Sequence, residues 1–139
     1  MIKDLYVLDS CALIAYIRKE NGSQPVADIF EKAQEKKCII YIHKATVAEV
    51  YYDILRTSNI NEAENMIKDL SLLPILFSNN LTQLFIRQIG YFKVNYKVSF
   101  ADCFVLALST VKKAIVISSD HHEFDAVEKS KIVSFFWIR

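Results

Sequence analysis

The sequence predicts an α/β fold built on a mainly parallel sheet, and three observations carry that expectation. Short apolar runs at residues 5–8, 38–42 and 114–118 read as strands buried on both faces. Stretches with helical spacing separate them, and strand–helix alternation favours a parallel sheet with right-handed crossovers. Two of the runs stop at a carboxylate, Asp9 directly after the first and Asp120 two residues after the third. In a parallel sheet both acids lie on the C-terminal edge, where open α/β sheets hold their ligands.

The elements follow in order. After the strand at 5–8, residues 12–18 turn to helical spacing, with Leu13, Ile14 and Ile17 on one face. Residues 20–25 form a turn. Ser23 is expected to cap a second helix with Pro25 in its first turn and Val26, Ile29, Phe30 and Ala33 inward. That helix stops at Lys36 and Lys37, where cations suit the dipole. A strand at 38–42 follows. A third helix opens at His43 and runs to about Arg56 or Thr57, with Val47, Val50, Tyr51 and Ile54 as its apolar stripe. A fourth, with Ala63, Met66, Ile67 and Leu70 inward, folds back on it as a hairpin. Pro74 restricts any strand at 72–77 to a short or edge position. Asn79 or Asn80 is expected to cap a helix to about Asn95, with Leu81, Leu84, Phe85, Ile89 and Phe92 on one side. The helix from residue 98 is apolar nearly all round, which places it centrally on the sheet. A strand at 114–118, a helical turn at 122–127 and a last strand at 131–135 complete the chain.

The bulk composition narrows the classes. The 139 residues suit one domain, 1–139, with 53% hydrophobic residues and only two glycines and two prolines. That composition excludes a disordered chain. No apolar run reaches the roughly 18 residues of a membrane span, and the start lacks a signal-peptide pattern. Cys11, Cys38 and Cys103 are odd in number and scattered, which reads as reduced thiols in a cytoplasmic protein. Setting four clustered acids aside would take the net charge from +1 to +5, a basic surface suited to a polyphosphate substrate.

Four acids stand out: Asp9, Glu49, Asp102 and Asp120. Each lies at a strand end or in the opening turns of a helix. Taken singly, each fits an N-terminal cap or a first-turn acid. Ser99 with Asp102, Thr46 with Glu49 and Asp120 with Glu123 all have capping-box spacing. Two features argue for more. Glu49 and Asp102 are flanked by apolar residues, and all four fall where a parallel sheet gathers its C-terminal loops. Like charges ~4 Å apart repel by roughly 4 kcal/mol at an effective dielectric of 20, so gathering them calls for a cation. All-oxygen ligands with open water positions suit Mg²⁺ or Mn²⁺.

The segments VLDSCALIAY, ATVAEVYYDI, VSFADCFVLALS and VISSDHHEFD, in this order and spacing, resemble the PIN domain, and within it the VapC-type toxin ribonucleases of prokaryotic toxin–antitoxin pairs. The resemblance spans essentially the whole chain. It implies a three-layer α/β/α fold with a central, mainly parallel sheet of about four to five strands. It implies a Mg²⁺- or Mn²⁺-dependent endoribonuclease in which the ion activates water for in-line attack on phosphorus. The family's acids fall on Asp9, Glu49, Asp102 and Asp120, with Asp125 where some members carry another. Asp9 and Asp102 are the expected direct ligands. Glu49 and Asp120 are expected to act through water, orient the nucleophile or hold a second ion. Ser10 and Ser99 match the hydroxyl residues beside the first and third acids, and fit either a substrate phosphate or a helix cap. The implied partners are RNA, a cognate antitoxin and a second copy of the chain.

Two other readings stand beside it. One is a non-catalytic PIN-like interaction module whose acids are caps. The other is a phosphatase with Asp9 as covalent nucleophile, for which the usual pattern wants a second aspartate where Cys11 stands. Cys11 as a nucleophile lacks a matching histidine or phosphate loop. Lys44, Arg56, Lys93 and Lys97 read as solvating charges, Tyr51, Tyr52, Tyr91, Phe92 and Tyr96 as packing residues, and His121 and His122 as an exposed first turn. The apolar content of the 44–73 hairpin implies an exposed groove or a dimer face.

Overall fold

The computed structural model describes residues 3–139 and contains, among those residues, five strands and seven helices. The strands are β1 (Asp4–Leu8), β2 (Cys38–His43), β3 (Leu76–Ser78), β4 (Ile115–Ser118) and β5 (Phe135–Trp137). They pair in the order β3-β2-β1-β4-β5, every pair parallel. β1 is central, and β3, the segment after Pro74, is an edge strand as its proline requires.

The period of two along β1 builds both cores. Tyr6 and Leu8 face one layer with α1 (Ser10–Ile17), α2 (Ser23–Gln34), α3 (Lys44–Thr57) and α4 (Ile60–Leu70). Val7 faces the other, with α5 (Gln83–Asn95), α6 (Phe100–Lys112) and α7 (His121–Lys129). The result is a three-layer α/β/α fold. α6 is central as its sequence implies, with Cys103 and Val105 to Ser109 buried. The α3–α4 hairpin leaves Ile67 47% exposed, contrary to the inward position its spacing implies. On α5, Phe85, Ile89 and Phe92 are buried, but Leu84 is exposed, as is Leu81 just before the helix.

Three local expectations are corrected. Ser23 does not cap α2; Gly22 does, at φ +100°, with no side-chain bond. Only glycine holds that conformation without strain, and a Cβ there would lie 2.9 Å from Ile138. α5 is capped by Thr82, whose hydroxyl accepts from Phe85 N, while the Asn80 carboxamide instead holds Thr82. The last strand is Phe135–Trp137 rather than 131–135. Lys131, at φ +63°, belongs to the turn that ends α7, and pairing with β4 begins at Val116 opposite Phe135.

With so few glycines, the chain ends helices on lysine. Lys19, Lys36 and Lys113 all have positive φ, and the next residue's N–H closes a six-residue turn: Glu20 to Ala15, Lys37 to Lys32, Ala114 to Ser109. This is the Schellman arrangement that glycine normally occupies. A left-handed lysine is strained by about 1–2 kcal/mol, whereas glycine adds back somewhat less in unfolded-state entropy. Lys36→Gly and Lys113→Gly are each expected to stabilise the fold by up to about 1 kcal/mol, measured by urea denaturation.

Candidate active site

The site lies on the C-terminal edge of the sheet, and adjacent parallel strands build its centre. Asp9 follows β1 and its N–H continues the ladder to Ile117 O at 3.1 Å. Its backbone is extended, which lets the side chain cap α1, and Oδ1 accepts from Ser10 N at 2.8 Å. Oδ2 accepts from Ser118 Oγ at 2.8 Å and from Cys11 Sγ at 3.0 Å. Ser118 is 109 positions away in sequence and comes within reach because Leu8 pairs with Ile117. Asp9 is only 1% exposed, so these three donors replace its lost hydration. Oδ2 has both of its favoured directions filled, which leaves Oδ1 with the free lone pair.

Three further carboxylates approach from three other elements. Glu49 lies on α3, whose start is fixed by His43: the ring's Nδ1 accepts from Ala45 N at 2.9 Å, and Nε2 donates to the Asn80 carbonyl at 2.9 Å. That ring is buried between Phe85 and Phe104. Asp102 sits in the first turn of α6 in a complete capping box with Ser99, as its spacing implies. Asp120 caps α7 by accepting from Glu123 N, and its own N–H donates to Ser118 Oγ at 2.9 Å. Ser118 thus ties Asp9 and Asp120 together.

The electrostatics show that the four acids share one region. Burial pushes the Asp9 carboxyl up, and the charge of Asp120 adds to this against its three donors. Burial likewise raises Glu49; a hydrogen bond from Ser10 opposes it, and the charges of Asp9, Asp53 and Asp120 reinforce it. Asp102 is raised to about 7 by burial first, then by the charge of Asp9, with Ser99 opposing and Glu49 and Glu123 adding. Ser99 therefore serves Asp102 directly through the capping box, and Ser10 lies near enough to Glu49 to favour its charged form. Asp125 is placed apart: its carboxylate is 63% exposed and bonds His121 Nδ1 at 2.9 Å.

Among the described residues no three His, Cys, Asp or Glu side chains converge closely enough to form a ready metal cage. The donor set nonetheless fits a hard divalent ion. The carboxylates are oxygen-only and mutually repelling, and Mg²⁺ takes one or two carboxylates directly and keeps several waters. Zinc, which favours nitrogen and sulfur ligands in tetrahedral sets, suits these all-oxygen donors less well.

Cys11 has a role its sequence position did not reveal. Its thiol is pushed up to about 12 by burial and then by the charge of Asp9, so it stays protonated and donates. Its sulfur also accepts from Ser119 N at 3.4 Å. This environment disfavours a nucleophilic Cys11. Groups that orient a ligand are worth about 10–100-fold in metal affinity. Cys11→Val is therefore expected to weaken Mn²⁺ binding by about that factor, with Cys11→Ser restoring it, as read by isothermal titration. Ser118 and Asp53 also escaped the sequence reading. Ser118 needs the β1–β4 register to be seen, whereas Glu123 had a signal in its capping-box spacing from Asp120.

The sequence model of the PIN domain matches residues 6–130. The chain belongs to the PIN domain family. No curated protein matches the sequence. Among solved structures, VapBC2 from Rickettsia felis bound to a promoter DNA fragment aligns with TM-score 0.72 at 12% identity, over 95% of this chain and 97% of that one. DNA-bound VapBC from Salmonella typhimurium gives TM-score 0.72 at 14% identity over 100% of both chains. Mycobacterium tuberculosis VapC20, a toxin that cleaves the sarcin-ricin loop, gives 0.69 at 13% identity, over 88% and 94%. At such identities the likeness is one of fold.

Proposed function

We propose that this PIN domain is a Mg²⁺- or Mn²⁺-dependent endoribonuclease and the toxin of a type II toxin–antitoxin pair. What supports the reading is the placement of Asp9, Glu49, Asp102 and Asp120 along one sheet edge, where burial pushes Asp9, Glu49 and Asp102 up and the charges of neighbouring acids add to each. Such repulsion is relieved by a bound cation. The fold shared with VapBC proteins, and the sarcin-ricin loop cleavage of VapC20, support the substrate and partner classes.

Asp9, through Oδ1, and Asp102 would hold the ion. Once bound, it would supply a water acidic enough to attack phosphorus, and positive charge for the developing phosphorane oxygens. Glu49, near Ser10, and Asp120, at the start of α7, would orient the attacking water or hold a second ion. Ser10 and Ser99 remain candidate donors to a phosphate oxygen. Asp125, exposed and bonded to His121, is not assigned to the ion. With the four acids neutralised by a cation, the formal charge of the rest of the chain would be +5, which favours a polyanion.

An apolar groove lined by Lys44, Val47, Ala48, Tyr51, Ile67 and Phe77 is the surface an antitoxin segment would cover. The exposed apolar residues of α5, Leu84, Ile86 and Val94, suit a second copy of the chain. Among the described residues no helix is long and apolar enough to cross a membrane, which is consistent with cytoplasmic work. Incubating the protein with structured RNA, with and without EDTA, tests the reading. Cleavage by the parent that EDTA and Asp102→Asn both abolish is expected. Cleavage untouched by either, or none at all, overturns it in favour of an interaction module.

A further inference from the structure

The nuclease reading leaves one feature of the site's edge unused. A column of aromatic rings climbs the face of β5 toward the carboxylates. Buried Phe124 packs on Phe135 with centroids 5.3 Å apart. Phe135 stacks on Trp137 at 5.0 Å and 11°, since residues two apart on a strand share a face. Trp137 then stacks on His121 at 3.8 Å and 20°. Because the strands are parallel, the column rises toward the same edge that carries Asp9. Trp137 pairs in register with Ser118, whose hydroxyl contacts Asp9, and His121 directly follows Asp120.

The last ring is held rigidly. His121 Nδ1 lies 2.9 Å from Asp125 Oδ1, and Nε2 lies 2.9 Å from the Arg139 carbonyl oxygen. Below it, the indole N–H of Trp137 donates to Glu128 at 2.8 Å. One face of the imidazole is covered by the indole, yet the side chain is 47% exposed, so its accessible surface is mainly the opposite face. A flat ring with one open face, fixed before any ligand arrives, binds a planar ligand with little ordering entropy. Single-stranded nucleic acid is recognised by such platforms, because every base has a π-face.

Building on the ribonuclease reading, we propose that the open face of His121, backed by Trp137, is a stacking subsite for one unpaired base of the RNA, next to the phosphate that is cut. Asp125 and Glu128 are then positioning residues for the platform. The alternative role for these contacts is purely structural, tying the chain near Arg139 to α7.

The test compares the parent with His121→Leu, which keeps bulk over the indole but removes the plane, and with His121→Phe, which keeps the plane. Alanine is avoided because a base could then drop onto Trp137 itself. Steady-state cleavage of a short single-stranded RNA, in versions abasic at each position flanking the cut, separates the roles. A stacked base is worth a loss of about 10- to 100-fold in binding when its platform is removed. The expected result is a rise of that size in KM for His121→Leu with kcat within a few-fold, and near-parental KM for His121→Phe. One abasic position should weaken the parent by a similar factor and His121→Leu no further. Trp137 is the chain's only tryptophan, so its emission should change when RNA binds in EDTA. An RNA-cleaving protein whose KM is unmoved by His121→Leu, or for which no abasic position couples to it, overturns the subsite alone. A parent that neither cleaves nor binds RNA overturns the nuclease reading and the subsite with it. Equal loss of thermal stability and an equal rise in KM in both variants shows the structural role only and overturns the subsite.

Discussion

Asp102→Asn is expected to make the metal-free protein more stable at pH 8 while abolishing cleavage. In the unfolded chain this carboxyl titrates near its ordinary value of 3.8, and in the fold at about 7. Between those values the native state holds the extra proton, so stability falls as pH rises from about 4 to about 7 and then levels off. Each pH unit of displacement corresponds to about 1.4 kcal/mol, which puts the penalty above pH 7 on the order of 4 kcal/mol. Asparagine is neutral at every pH and can still accept from Ser99 N, so the capping box survives. Urea denaturation in EDTA should show a gain of about 2–4 kcal/mol at pH 8 and little change at pH 4. A variant destabilised equally at both pH values would mean that the burial of Asp102 imposes no electrostatic penalty.

Asp9→Asn is expected to remove divalent-ion binding and to lower the cleavage rate by about 10³-fold or more, the scale set by losing several kcal/mol of charge stabilisation. The fold should persist. The asparagine oxygen can accept from Ser10 N, and its NH₂ can face Cys11 and Ser118, whose thiol and hydroxyl can turn to accept. The loss is therefore one of charge at the free Oδ1 position rather than of structure. Circular dichroism should be unchanged and Mn²⁺ titration flat. Retained Mn²⁺ affinity in this variant would remove Asp9 from the ligand set.

The parts legible in the sequence were those with a local cause. An apolar run ending on Asp9, another ending just before Asp120, and Pro74 in a short run were enough to place three strands and the edge that carries the site. The near-uniform apolarity of 100–108 put α6 against the sheet, and the Ser99–Asp102 spacing gave its cap. What could not be read depends on contacts between distant residues. Ser118 reaches Asp9 only once β1 and β4 are in register. Cys11 looked like an inert thiol because nothing near it in sequence shows that Ser118 and Ser119 close around it. Asp125 had the right residue type, but its place on α7 gives it His121 as partner. Caps were misassigned where several candidates crowd together, as with Gly22 beside Ser23 and Thr82 beyond Asn80.

The most direct measurement is a thermal unfolding series at pH 8 with increasing Mg²⁺ or Mn²⁺, run on the parent and on Asp9→Asn. A cation that binds the folded carboxylates and not the unfolded chain stabilises by mass action, about 2.7 kcal/mol at a hundred times its dissociation constant. The parent should therefore show a melting temperature that climbs with cation concentration, and Asp9→Asn should show one that does not. Parallel curves for the two proteins, or no cation dependence in either, would contradict a divalent-ion site at these four acids.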